Sequence, residues 1–203
     1  MIRSLIQLSD IIVSTKNPVI LLEGTRKIND DQFLLLSKFG EFIAKQFPSS
    51  RFRSGNASGS DDAFATGIRK VAADRLQIVL PSIDSGKARL KPQDYRVALE
   101  DISIAEEKQI IYESKRATPA NKRLIEAYEN KREGVMKQKS LYLLRDTLKV
   151  IGSPENGLRP ITAGIFFVNE DDPTSGGTGH TIRVCRQNNV PVLTQDVWLN
   201  WMQ

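Results

Sequence analysis

Three stretches of the chain are apolar almost from end to end and too short for buried helices: PVILLEG (Pro18 to Gly24), LQIVLP (Leu76 to Pro81) and ITAGIFFV (Ile161 to Val168). A continuous apolar run of this length, closed by Gly or Pro, is the pattern of a strand covered on both faces, as in a parallel sheet. Between them lie amphipathic stretches. DDQFLLLSKFGEFIAKQF places Phe33, Leu34, Leu36, Phe39, Phe42, Ile43 and Phe47 on a helical stripe; Asp30 or Asp31 is placed to cap its start, and Pro48 ends it. SRFRSG is expected to be a short second strand, and NASGSDDAFATGIRKVAADR a small-residue loop running into a helix, with Ser60 or Asp61 as its cap. VPVLT (Val190 to Thr194) is a further strand, and QDVWLNWM a closing helix that docks Trp198 and Trp201 on the core.

Strands alternating with helices imply right-handed crossovers and a parallel sheet covered on both faces. The expected class is therefore α/β: a Rossmann-like, mostly parallel sheet with helices on both faces. The region from about 82 to 151 breaks the alternation. It is long and polar with basic residues in excess, and it reads as a helical insert between the third and fourth strands, with Gly134 as a break between its last two helices. The 203 residues suffice for one sizeable domain, and residues 1–203 are expected to form a single one.

No window is long and apolar enough to span a bilayer. The first residues are apolar but interrupted by Gln7, Ser9 and Asp10, unlike a secretory signal. The lone cysteine, Cys185, excludes an intramolecular disulfide and fits a cytoplasmic location. It lies in an apolar helical pattern and is expected in the core. One histidine and one cysteine cannot build a zinc cage, and no motif asks for a metal or an organic cofactor. The formal net charge of +5 and the isoelectric point of about 9.3 are compatible with a polyanionic partner.

In sheets of this kind ligands sit beyond the carboxyl ends of the strands. Four loops occupy that position. In LLEGTRKI, Gly24 allows a tight turn, and Thr25 and Arg26 stand just past the strand; Arg26 can clamp a phosphate or carboxylate or lie in solvent. In RSGNASGSDDAFATG, Gly55 and Gly59 let the backbone approach a ligand, while Asp61 and Asp62 can take hydrogen bonds from ribose or base edges, or serve the helix dipole. The loop PSIDSGKARLKPQDYR reads as a binding loop or a solvated basic surface. In TSGGTGHTI, residues 174–182, small side chains at a helix start make an anion cradle from Ser175, Gly176, Gly177 and Thr178, followed by Gly179, His180 and Thr181.

Together these loops resemble the SLOG superfamily of Rossmann-like domains, which includes the DNA-processing protein A (Smf) family and the Lonely Guy phosphoribohydrolases. LLEGTR resembles that group's first-strand motif. Ser54, Gly55, Ala57, Gly59, Asp61 and, one place displaced, Ala63 or Phe64 resemble its second-loop pattern. SGGTGHTI resembles the glycine loop before its last crossover helix. KSLYLLRDTLKVIG resembles a segment carrying an Arg-Asn pair, with Arg145 as the arginine and Asp146 in place of the asparagine.

The resemblance implies a nucleotide-derived ligand between the second and fourth loops. It also implies a departure. The hydrolases carry a glutamate shortly after their last loop, and here Ile182 or Arg183 holds that position. Cleavage of a glycosidic bond would need a carboxylate from elsewhere, with Asp61, Asp62, Glu170, Asp171 and Asp172 as candidates. His180, at a helix amino terminus, is expected to be neutral and to donate to phosphate or ribose, or to its own loop.

Three functions follow. The first is a sensing or ligand-binding protein that keeps the cradle without cleavage; the second is a nucleotide N-glycosidase. The third is a single-stranded DNA-binding protein, for which Lys115, Arg116, Lys122, Arg123, Lys131, Arg132, Lys137, Lys139, Arg145 and Lys149 supply charge and Tyr112, Tyr128 and Tyr142 supply stacking faces. Glu126, Glu129 and Glu133 among them argue instead for a solvated helix face of mixed charge. The insert is also a candidate homodimer surface, and no membrane partner is expected.

Overall fold

The computed structural model describes residues 2–130 and 134–202. Lys131, Arg132 and Glu133 of the basic insert lie outside them. Six parallel strands form one sheet: β1 (Val19–Gly24), β2 (Arg51–Ser54), β3 (Leu76–Leu80), β4 (Tyr95–Ala98), β5 (Ala163–Phe167) and β6 (Val192–Leu193), in spatial order β4-β3-β2-β1-β5-β6. The chain builds outward from β1 to β4, then returns to the other side of β1 with β5 and β6. The connections therefore diverge between β1 and β5, which pair in register from Ile20 with Ala163 to Gly24 with Phe167. That divergence is the switch point at which open α/β sheets seat ligands.

Alternate strand residues meet different helices, which is why the long strands read as unbroken apolar runs. Ile20, Leu22, Phe52, Ile78, Ile165 and Phe167 face a core that includes α1 (Leu5–Ser14), α2 (Asp30–Gln46), α3 (Ser60–Ala72) and α8 (Gln195–Trp198). Val19, Leu21, Val79, Val97 and Phe166 face the other side, against α4 (Ile104–Ala117), α5 (Lys122–Glu129), α6 (Val135–Ile151) and α7 (Gly176–Gln187). Trp198 is fully buried, its indole NH donates to the Phe166 carbonyl at 3.0 Å, and its ring lies 4.3 Å from that of Phe39. Cys185 is fully buried as well. Among the described residues no helix is long and apolar enough to cross a membrane.

Several expectations need correction. The insert is not purely helical: Tyr95–Ala98 leaves it to become the fourth strand, pairing with β3 at the sheet edge. Its four residues are exposed, exposed, buried and buried, so no apolar run advertises it. Helix α6 then serves as the crossover helix to β5. Helix α1, capped by Ser4 and buried through Leu8 and Ile12, is an element that the sequence expectations did not include. Caps differ too. Asn29, not Asp30 or Asp31, caps α2 through a capping box with Gln32. Gly59, at φ +82°, is the N-cap of α3, with no side-chain cap bond from Ser60 or Asp61.

Candidate functional site

A cavity of about 680 Å³ opens at the carboxyl ends of β1 and β5, bordered by the α3 loop, α6 and the start of α7. Its size falls within the ~300–1,000 Å³ typical of small-molecule sites. The backbone around it is tied together locally. Thr25 NH donates to the Phe167 carbonyl at 2.8 Å, Ser60 Oγ to the Thr25 carbonyl at 2.8 Å, and Thr178 Oγ1 to the Gly24 carbonyl at 3.1 Å. Asp61 is buried and accepts from the amides of Gly24 (3.3 Å), Gly55 (3.1 Å) and Ala57 (3.4 Å). This carboxylate is what holds the β1 and β2 loops side by side.

The floor of the cavity is ionic. Glu23, the last side chain of β1 before Gly24, is 4% exposed. Its Oε2 lies 2.6 Å from Lys149 Nζ, and its Oε1 accepts from Thr181 Oγ1 at 3.1 Å. Lys149 Nζ also lies 2.9 Å from Asp146 Oδ1, which meets Arg145 Nε at 3.0 Å. Arg145 Nη1 donates to the Gly55 carbonyl. A Cβ at residue 55 would stand 1.9 Å from that nitrogen, so only glycine admits the guanidinium here.

Burial works against every charge in this cluster. It pushes the Glu23 carboxyl up to about 7, with Lys149 opposing and Asp146 and Asp61 reinforcing the rise. For Asp146 burial is again the largest influence, but Arg145 and Lys149 together outweigh it and hold the carboxyl below its usual value. Burial pulls on Lys149 as well, and Asp146 and Glu23 overcome it, so the ammonium is retained. Asp146 is thus the firmly ionised acid of the cluster, and Glu23 the one that takes up a proton near neutrality.

At the opposite wall, helix α7 begins with Gly176 and Gly177, and its N-cap, Ser175, makes no side-chain cap bond. Ser175 to Thr178 line the cavity, and the first amides of the helix lack the usual side-chain acceptor. A Cβ at Gly177 would come within 2.7 Å of Asp146 Oδ2. The glycine turn is therefore packed directly against an ionised carboxylate. Arg183 steadies the turn from behind, donating from Nη1 to the Thr174 carbonyl and from Nε to Thr118 Oγ1, each at 2.9 Å.

Of the residues singled out from sequence, Gly24, Thr25, Arg26, Asp61, Arg145, Ser175, Gly176, Gly177 and Thr178 line this cavity. Gly55 borders an adjoining cleft. Ser54, Gly59, Asp62, Gly179, His180 and Thr181 lie outside the lining; Gly59 and Gly179 shape the loops, and Thr181 acts on the cavity through Glu23. His180 differs most from expectation. Its ring is fully buried, with Nε2 3.1 Å from Ser114 Oγ and 3.0 Å from Thr147 Oγ1, and Nδ1 2.8 Å from Thr118 Oγ1. Those partners lie on α4, on α6 and just past the end of α4, so neither nitrogen is offered to a ligand. Burial lowers its pKa to about 4 against the pull of Asp146, so the ring is neutral, as expected, but bound inside the core. Of the proposed carboxylates, Asp61 and Asp172 reach the cavity lining; Asp62, Glu170 and Asp171 do not.

The basic insert is partly neutralised. Lys115 pairs with Glu129 at 2.5 Å, Arg116 with Glu113 at 3.5 Å and Lys122 with Glu126 at 3.8 Å. Its tyrosines are dispersed: Tyr142 lines the cavity, Tyr128 donates to Glu107 and Tyr112 is exposed.

No family model and no curated protein matches the chain. Among solved structures the chain is similar to DNA processing protein A from Helicobacter pylori, determined for its single-stranded DNA binding mode. The two are 11% identical with a TM-score of 0.46, over 92% of this chain and 67% of that one.

Glu23 and Asp146, which line the cavity, and the buried Lys149 that pairs with both are the residues that the motifs do not assign to the site. A signal for them exists. Glu23 closes a strand buried on both faces, where a carboxylate demands a cation. Arg145, Asp146 and Lys149 interrupt the most apolar stretch of their helix, and Asp146 and Lys149 stand one turn apart.

Proposed function

We propose that the protein binds a nucleotide-derived small molecule in the cavity at the β1–β5 switch point. The observation that carries this reading is convergence. All three loops whose motifs resemble the SLOG superfamily border one cavity, although the first and last of them, at Gly24 and Thr178, are 154 residues apart in the chain. That supports reading the chain as a SLOG-like, Rossmann-like domain. The cavity combines what such a ligand requires: an uncapped helix start, arginines, buried carboxylates that accept from hydroxyl or amino groups, and an apolar wall that includes Leu124, Tyr142, Leu143 and Val168.

Thermal shift and calorimetry with a panel of nucleosides and nucleotides test the proposal. The expected result is saturable binding without turnover, with stabilisation of about 2.7 kcal/mol at a hundredfold excess over Kd. Gly177→Asp, which would press a second carboxylate against Asp146 and into the cavity, is expected to abolish it. Binding retained in that variant would remove the cavity as the site.

A second reading, N-glycosidic cleavage, is favoured by one observation: Glu23, raised to about 7, sits beside Asp61 and the firmly ionised Asp146. Carboxyls driven apart in this way are the means by which acid and base roles are divided. Release of free base from a nucleoside monophosphate, lost in Glu23→Gln, is its test; no base released across the panel refutes it.

A further inference from the structure

Beside the main cavity lies a smaller cleft of about 90 Å³, with room for a single small group and not for a nucleoside. The two share Arg26, Ala57, Tyr142 and Arg145, so one ligand can enter both. The cleft is lined by three arginines, Arg26, Arg89 and Arg145, and by no carboxylate. Arg145 is already matched by Asp146. Arg26 and Arg89 have no ion-pair partner among the described residues. Both are nonetheless held in place. The Arg26 guanidinium stacks 5.2 Å from the Tyr142 ring centre, and Arg89 Nε donates to the Asn56 carbonyl at 3.0 Å. Asn56 adopts a left-handed conformation, at φ +55°, and its side-chain amide donates to the Gly86 carbonyl at 3.0 Å, bracing the loop that carries Arg89. Among the described residues the Nη groups of Arg89 have no hydrogen-bond partner.

The main cavity has the opposite character at its α7 end. There the helix start, where an anion would ordinarily be sought, faces Asp146 Oδ2 across Gly177. Asp146 is 1% exposed; its Oδ1 faces Arg145 Nε at 3.0 Å and Lys149 Nζ at 2.9 Å, which leaves Oδ2 as the oxygen beside the glycine turn. An ionised carboxylate in that place repels a phosphate and accepts from a hydroxyl or amine.

We infer that the anionic group of the ligand, a phosphate or carboxylate, is held between Arg26 and Arg89 in the small cleft rather than on the glycine turn of α7, and that Asp146 meets a neutral or cationic donor of the same ligand. This deepens the nucleotide reading and rests on it for the second half alone; the cleft stands or falls separately. Paired guanidinium forks are suited to bind a phosphate through several charge-assisted bonds, which one lysine at either position would not reproduce.

The test is an NMR titration with inorganic phosphate, following the arginine side-chain Nε–H resonances and the backbone amides. Saturable shifts are expected at Arg26 and Arg89, lost in the Arg26→Ala/Arg89→Ala double variant. Arg89→Lys, which leaves the loop folded and the charge in place, is expected to weaken binding roughly tenfold, the loss of charge-assisted bonds. Shifts confined to the Gly177 and Thr178 amides, or no saturable shift at all, would overturn the inference. Phosphate bound in the cleft while no nucleoside or nucleotide binds would instead refute the nucleotide reading and leave the cleft assignment intact.

Discussion

Two buried polar clusters lie a few residues apart along α6 and α7, and they differ in one respect. Around His180, the hydroxyls of Ser114, Thr118 and Thr147 occupy both ring nitrogens, and the one charged neighbour, Arg183, touches the network only through Thr118 Oγ1. Around Lys149, three acids and two cations crowd the cavity floor, and Asp146 leaves one oxygen toward the glycine turn. The histidine cluster gives the core uniqueness by satisfying its own groups. The open one keeps charge at a cavity wall, at a cost in desolvation that a purely structural core would avoid. A lone histidine in a glycine turn draws the eye in the sequence, yet the acids Glu23, Asp61 and Asp146 are the groups that line the cavity.

The contrast can be broken by substitution. The largest effect is expected for Lys149→Met, which strands Glu23 and Asp146 without their shared cation. Loss of one partner from a buried pair costs about 3–5 kcal/mol, to be read by urea unfolding. His180→Ala is expected to cost less, on the order of 1–3 kcal/mol for hydroxyls left unsatisfied, and to leave ligand affinity in calorimetry unchanged. An affinity loss there would join the two clusters functionally.

Their pH responses should be opposite. Glu23 is raised from 4.5 to about 7 by burial, so between those values the folded state holds more protons than the unfolded state, and stability falls as pH rises. Glu23→Gln removes this loss, so its melting temperature should gain on wild type from pH 4.5 to 7. His180 is lowered from 6.5 to about 4, so its contribution is present above pH 6.5 and is lost as pH falls toward 4. His180→Gln should flatten that acid limb. The smallest effect is expected for Lys122→Ala, whose ion pair with Glu126 at 3.8 Å is exposed; a change within about 0.5 kcal/mol is predicted.

Much of the sheet was legible because apolar runs such as Val19 to Leu22 and Ile165 to Val168 are buried on both faces, and burial writes itself into composition. Tyr95–Ala98 was not, since an edge strand half in solvent leaves no run. The cavity walls were legible as glycine loops because close backbone approach requires glycine, as at Gly55 against Arg145 and Gly177 against Asp146. The floor was harder to see. Glu23 and Lys149 are 126 residues apart in sequence, and only the pairing of β1 with the crossover helix α6 brings them to 2.6 Å. His180 was misplaced for the converse reason: the turn announces a helix amino terminus, but the face each residue takes depends on what α4 and α6 pack against it.

Hydrogen–deuterium exchange with and without a nucleoside monophosphate tests the central claim most directly. The account predicts slowed exchange in four segments, 24–26, 55–57, 142–146 and 174–178, with the rest of the sheet unchanged. Slowing in none of them, or slowing confined to 104–130, would contradict it.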